Sequence, residues 1–145
     1  MPELIVDATS NDLTYRIIGA AMAVHNALGY GFKEEVYERA LLVELARREI
    51  AAESQFPVDV VYEGEMAGLF YLDLFVEGQV VVEIKAFSHQ LTNDELAQMI
   101  NYLKATQAPV GLLFNFGRRR LEYRRIFPGK DSGLVKRVAR DDVFR

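Results

Sequence analysis

The chain has 145 residues, 50% hydrophobic and 26% charged, with a net charge of −4 and no cysteine. That length suits one domain, and the lack of cysteine excludes disulfides and thiolate zinc sites. No apolar run approaches the roughly 20 residues that span a bilayer, and the acidic start MPELIVDATSNDL lacks the basic residues and apolar core of a signal peptide, so a cytoplasmic protein with no membrane partner is expected. The charge is unevenly spread. From Arg118 to Arg145 there are ten Lys/Arg and four Asp/Glu, a net of +6, whereas the residues before carry seven and seventeen, a net of −10. A basic end on an acidic body suits local contact with a phosphate backbone. A solvated, charged tail is the plain alternative.

Leu13, Ile17, Ala21, Val24 and Leu28 recur at helical spacing and predict a first helix over 13–28. Ser10 or Asn11 would cap it, and Gly29-Tyr30-Gly31 would stop it. A second helix is predicted over 33–48, with Val36, Ala40, Leu41, Val43 and Leu45 on a broad apolar face. The period then becomes two: Phe56, Val58, Val60 and Tyr62 alternate with polar residues, and Pro57 argues for an edge strand. Glu63-Gly64-Glu65 reads as a turn between this strand and a second over 67–76, with a third over 80–86. Thr92-Asn93-Asp94-Glu95 fits a capping box, opening a helix with Leu96, Met99, Ile100 and Leu103 on its apolar face. It runs to about 105, and Pro109 follows as a break. A buried strand over 110–116, a turn at Gly117 and a last edge strand over 121–127 complete the order α-α-β-β-β-α-β-β. The expected class is α/β, a mixed central sheet flanked by helices. The expected organisation is an extension over 1–12, a domain over 13–127 and a charged tail over 128–145.

Three charges interrupt the apolar hairpin LDLFVEGQVVVEIKA: Asp73, Glu83 and Lys85. Buried charges are costly unless paired or bound to a metal. Residues two apart on a strand share a face, so Glu83 and Lys85 lie together with Ile84 opposite. If Asp73 faces Glu83 across the hairpin, Val76 faces Val80 and Glu77-Gly78-Gln79 is a three-residue loop, a common length. A register slipped by one would split the carboxylates across the sheet. Converging, Asp73 and Glu83 would supply hard oxygen ligands for Mg²⁺ or Mn²⁺, and the Ile84 carbonyl could add another. Lys85 could orient a water or stabilise a phosphate oxygen. This is equipment for phosphodiester hydrolysis. The competing reading is a cross-strand carboxylate–lysine ion pair near a sheet edge.

Other residues add to the set. Gln98 and Tyr102 are four apart on one helix face, placed to touch a phosphate or hold Lys85. A polar pair beside the Met99/Ile100 stripe would look the same. Glu34 opens the second helix with Tyr37 one turn later, although the helix dipole alone favours an acid there. A lone His25 beside Val24 reads more readily as a hydrogen-bonded core residue than as a ligand. Arg118, Arg119 and Arg120 are candidate nucleic-acid contacts, of which at most two can face one way on a strand. Phe114, Phe116, Leu121, Tyr123 and Phe127 around them could build a homodimer interface.

At these residues the chain resembles a known family. GFKEEVYERAL carries Gly31-x-x-Glu34-x-x-Tyr37, the signature of the GxxExxY proteins of the PD-(D/E)XK nuclease superfamily. The resemblance runs over roughly 13–127 and takes in IIGAAMAVHNALGYGF, YLDLFVEGQVVVEIKA, AQMINYLKAT and GLLFNFG. It implies a restriction-endonuclease-like core, a mixed sheet flanked by helices, with the active site on a hairpin. Asp73 and Glu83 match the metal-binding acids, Lys85 the catalytic lysine, and Glu34 the acid of the first core helix. Gln98 and Tyr102 match the Q-x-x-x-Y motif of RecB-like members. His25 and Tyr37 are accessory candidates, His25 as a further metal or phosphate contact. One departure is visible: Leu72 stands where the superfamily's name has proline. The resemblance implies a Mg²⁺- or Mn²⁺-dependent nuclease acting on nucleic acid, DNA first. Two alternatives remain: a non-catalytic nucleic-acid binder, which clustered acids argue against, and an assembly module that keeps the fold alone.

Overall fold

A computed structural model describes residues 2–128, with side chains from residue 12 onward. The elements are α1 (Pro2–Leu28), α2 (Glu34–Arg47), β1 (Ala52–Tyr62), β2 (Glu65–Val76), β3 (Val80–Lys85), α3 (Asn93–Thr106), β4 (Val110–Asn115) and β5 (Glu122–Ile126). Five strands form one sheet in the order β1-β2-β3-β4-β5. All neighbours are antiparallel except β3 and β4, which run parallel with α3 as the crossover. The mixed sheet and the element order agree with the sequence-based expectation.

The start of α1 and the buried face of α2 differ from that expectation. Helix α1 begins at Pro2 rather than near Leu13, so neither Ser10 nor Asn11 caps it. On α2 the inward residues are Tyr37, Leu41 and Leu45. Val36 and Val43 are exposed. Tyr37, Leu41 and Leu45 recur at four-residue spacing on one face, and this tyrosine-bearing stripe outcompetes the two valines. The charged tail expected beyond residue 128 lies outside the described residues.

Two cores clamp the sheet. On one face, α1 and α2 bring Ile17, Ala21, Tyr37 and Leu41 against Leu74, Val82, Ile84, Leu112 and Phe114. On the other, α3 brings Met99 and Leu103 against Leu72, Val81 and Leu113. Every residue of β4 is buried, as a strand covered on both faces requires. Gly111 on β4 leaves room that a Cβ would take from the Met99 side chain. Thr92 caps α3 in a full capping box with Glu95, as its sequence predicts. Pro57 sits on β1, an edge strand, where its missing N–H costs no ladder bond. Phe114 and Phe116 are fully buried, so neither is available to a dimer interface. Tyr123 and Phe127 are exposed.

Candidate active site

The hairpin register is the one that places the carboxylates opposite each other. Val76 pairs with Val80, Phe75 with Val81 and Leu74 with Val82. The next pair in this series is Asp73 with Glu83, and the backbone ladder stops just short of it. Side chains take over its hydrogen bonds. The Asp73 N–H donates to Glu83 Oε2 at 2.9 Å, and the Ile84 N–H donates to Asp73 Oδ2 at 2.7 Å. The Glu77-Gly78 turn adopts positive φ at both residues (54° and 64°), the geometry that a tight hairpin loop requires.

The strands diverge at this point. Leu72 packs in the α3-side core, whereas Leu74, two residues on, packs in the core under α1 and α2. In a regular strand the two would share a face. The same change occurs next door on β1. Ser54 pairs with Leu74 and Phe56 with Leu72, leaving Gln55 opposite Asp73 with φ of 52°, an uncommon value for a non-glycine residue. The irregularity opens the sheet where the charges sit.

The site is electrostatically tense. Glu83 is only 5% exposed. Its carboxyl is pushed up to about 8, first by burial and then by the Asp73 charge, against the Asp73 N–H and Lys85, which lower it. Asp73 is also raised, mainly by burial, with the Ile84 N–H opposing and Glu38 adding to the rise. Two nearby carboxylates in a half-dry site cannot both ionise cheaply. Among the described residues no salt bridge reaches either one. Lys85 lies on the same strand two residues from Glu83 and eases both charges through space. A cross-strand ion pair is therefore not what compensates the pair.

Glu38 is the residue that sequence reading missed. It lies one turn after Glu34 on α2, and its charge bears on both Asp73 and Glu83. Gln55 Nε2 donates to Glu38 Oε2 at 2.9 Å and also helps to hold Asp73 down. Glu34 is exposed at the helix start. It lines a cleft of about 530 Å³ with Gly31, Lys33, Glu35, Glu38 and Ala86, the last following Lys85 directly. The i, i+4 spacing of Glu34 and Glu38 was the available signal.

Tyr102 comes to the site, whereas Gln98 is exposed on α3 with no contact that ties it to the carboxylates among the described residues. The Tyr102 ring stacks on Phe70 with centroids 4.4 Å apart. Its hydroxyl is raised to about 12 by burial and then by the charges of Glu83 and Asp73. Tyr37 makes structural contacts: its hydroxyl donates to the Gly29 carbonyl at 2.6 Å and accepts from the Phe32 N–H at 3.1 Å. Its ring stacks on Phe116. The tyrosine thus closes the α1–α2 turn and sets where Glu34 and Glu38 begin. His25 is buried, and its Nε2 meets the Arg118 carbonyl at 2.9 Å. Arg118, Arg119 and Arg120 lie in the bend between β4 and β5 rather than on a strand. Arg118 approaches Glu122 at 3.6 Å.

A buried amide braces the segment after Lys85. Asn115 pairs with Lys85 across β3 and β4 and is wholly inaccessible. Its Oδ1 accepts from the Phe87 and Gly117 N–H groups, while its Nδ2 donates to the His89 carbonyl and to Glu122. Glu122 in turn accepts from the Leu91 N–H. Gly117 lies so close to Ala86 and Phe87 that a Cβ would collide with their backbone. These contacts hold the loop from Lys85 to α3.

The donor set suits a hard divalent cation. Backbone amides engage one oxygen of each carboxylate, Asp73 Oδ2 and Glu83 Oε2, and the mutual repulsion is of the kind that a dication relieves. Ile84 touches the pair through its N–H. Among the described residues no group of three His, Cys, Asp or Glu side chains is close enough to hold a metal. Two acids with water or substrate oxygens is the arrangement that these residues offer.

Comparison with known proteins agrees with this architecture. The crystal structure of SSO0001 is similar to this chain, with a TM-score of 0.53 at 18% identity, over 76% of this chain and 57% of that one. Such a likeness concerns the fold, and the chain spans little more than half of that protein's length. Among curated proteins none matches the chain significantly. No helix among the described residues is long and apolar enough to cross a membrane. A family model of the PD-(D/E)XK nuclease superfamily matches residues 11–126, the stretch that contains the sheet, its helices and the Asp73–Glu83–Lys85 hairpin, and the chain belongs to that superfamily.

Proposed function

We propose that the protein is a Mg²⁺- or Mn²⁺-dependent nuclease that hydrolyses phosphodiester bonds of DNA. The observation that carries this reading is the Asp73–Glu83 pair. Both carboxyls are raised by burial, each is fixed by a backbone amide, and among the described residues no salt bridge reaches either. Without a cation the repulsion is relieved only by a proton retained on Glu83, whereas a cation offsets it with both carboxylates ionised. The Gly31-x-x-Glu34-x-x-Tyr37 spacing supports placement among the GxxExxY proteins. A cytoplasmic homodimer is part of the reading, and the exposed Tyr123 and Phe127 near the β5 edge suit a twofold contact.

Asp73 and Glu83 would hold the metal, with Glu38 and Glu34 acting from the α2 side of the cleft. The bound ion would supply an acidified water and charge stabilisation at the phosphate. Lys85 shares the strand with Glu83, so its ammonium is placed to neutralise a non-bridging phosphate oxygen and orient the attacking water. The Tyr102 hydroxyl stays protonated far above neutral pH and can only donate a hydrogen bond or accept one, not act as a base. Gln98, one turn earlier, is exposed for contact with the DNA strand. Burial of the carboxylates excludes bulk water and strengthens each of these interactions.

Cleavage of labelled single- and double-stranded DNA with Mg²⁺, against the same reaction in EDTA, tests the reading. Activity should need the ion and fall by at least about 100-fold in Glu83→Ala and in Lys85→Ala, the scale expected for loss of a positioned catalytic group. Equal activity in a Glu83→Ala/Lys85→Ala double variant would overturn it.

A further inference from the structure

We infer that Arg119, Arg120 and Asn26 form a phosphate subsite, which holds a DNA backbone phosphate away from the one being cleaved. The inference rests on the nuclease reading for its biological setting but on separate residues. Between α1 and the β4–β5 bend lies a cavity of about 310 Å³ lined by Met22, His25, Asn26, Arg119, Arg120 and Leu121. Among the described residues no carboxylate lines it. The three arginines of the bend are treated differently. Arg118 is engaged: its guanidinium approaches Glu122 at 3.6 Å, and its carbonyl accepts from His25 Nε2 at 2.9 Å. A carbonyl can only accept, so Nε2 carries the proton. The His25 ring also rests against Phe116, with centroids 6.1 Å apart. These contacts pin the start of the bend to α1. Arg119 and Arg120 are exposed, and among the described residues neither has a hydrogen-bond or ion-pair partner.

Two guanidinium forks and a carboxamide are phosphate chemistry: all are planar donors, and arginine binds phosphate oxygens in pairs. The place suits a strand that also reaches the carboxylates. β3 and β4 run parallel, so Lys85 and Asn115 end side by side, and the Arg118–Arg120 bend follows directly. The rest of the chain before Arg118 is strongly acidic and repels DNA, so a cavity whose arginines have no partner among the described residues, in the bend that follows Asn115, is where a backbone can be held. The competing structural role is charge compensation of the α1 C-terminus.

The test is binding of a fluorescein-labelled single-stranded DNA in EDTA, measured against salt, for wild type, Arg119→Ala, Arg120→Ala, Asn26→Ala and Arg125→Ala. Arg125 is exposed on β5 and outside the cavity. Each cavity arginine removed should flatten the slope of log K against log salt by about 0.7, the value for one phosphate contact on a single strand. Asn26→Ala should weaken binding without changing the slope, and Arg125→Ala should leave both unchanged. Competition by inorganic phosphate at concentrations far below those that screen DNA would instead assign the cavity to free phosphate and overturn the DNA subsite. Equal effects of Arg119→Ala, Arg120→Ala and Arg125→Ala, lowered melting temperature with an unchanged slope, or no DNA binding at low salt would also overturn it. Mg²⁺ calorimetry on the same proteins separates the two readings. Loss of slope without any Mg²⁺ binding by the wild type removes the nuclease reading alone, and intact Mg²⁺ binding with unchanged slopes removes the subsite alone.

Discussion

Asp73 and Glu83 hold each other through the backbone. The Asp73 N–H donates to the Glu83 carboxylate at 2.9 Å, and the Asp73 carboxylate accepts from the Ile84 N–H, next to Glu83, at 2.7 Å. The last rung of the hairpin ladder is thus made of side chains. Each acid is pinned by the other's strand, yet both remain raised above their ordinary range. The arrangement fixes geometry at the expense of charge repulsion, as a site awaiting a cation would.

This repulsion gives the metal-free protein a pH signature. Glu83 titrates at about 8 in the folded chain against an ordinary 4.5, so the folded state keeps a proton that the unfolded state releases. The stability this contributes is complete below the ordinary value and is lost as pH climbs through the window up to about 8. The slope should approach roughly 1.4 kcal/mol per pH unit for one proton. Urea melts in EDTA between pH 5 and 8 should show this loss, and Glu83→Gln should flatten it. An unchanged slope in Glu83→Gln would place the titrating group elsewhere.

Divalent ions should act in the opposite sense. A cation competes with the proton on Glu83, so Mg²⁺ should raise the melting temperature more at pH 8 than at pH 6. The difference should vanish in Asp73→Asn. Equal stabilisation of wild type and variant by Mg²⁺ would mean binding outside the hairpin.

Tyr102 offers an optical report of the same charges. Its hydroxyl is held at about 12 partly by Glu83 and Asp73. Neutralising them with Mg²⁺ should lower its ionisation by the share the charges contribute, with burial still holding it above the ordinary value, visible as the difference between wild-type and Tyr102→Phe ultraviolet titrations. Tyr102→Phe should itself change stability by no more than about 1 kcal/mol, because the stack on Phe70 survives. A titration difference that ignores Mg²⁺ would separate the phenol from the site.

Asn115 should matter for the Lys85 loop out of proportion to its size. Asn115→Ala strands the Phe87 and Gly117 amides and the His89 carbonyl, with a cost of about 2–4 kcal/mol for several buried polar groups. Hydrogen exchange at Phe87 and Gly117 should accelerate, and cleavage should fall while Mg²⁺ affinity holds. Unchanged exchange at both amides would show that the loop does not depend on this side chain.

Much of this organisation can be read from the residues alone. The alternation around Phe56–Tyr62, the capping box at Thr92 and the loop Glu77-Gly78-Gln79 are local signals, and local signals survive folding. The Asp73–Glu83 register follows from the loop length. Other features depend on which elements meet. Glu38 looks like any surface glutamate until α2 lies beside the Gln55 irregularity. Gln55 itself carries no sequence mark of its positive φ. Asn115 reads as the end of an apolar strand, and only the parallel pairing with Lys85 reveals its four partners. Val36 and Val43 suggest a core face on α2, but the face with Tyr37 wins because that ring fits against Phe116.

The most direct test of a metal centre on the hairpin is Mg²⁺ and Mn²⁺ calorimetry on wild type and Glu83→Ala at pH 8. Saturable binding by the wild type that is lost in the variant is the predicted result. No binding by the wild type, or equal binding by both, would contradict the account and leave a nuclease fold serving assembly or nucleic-acid binding alone.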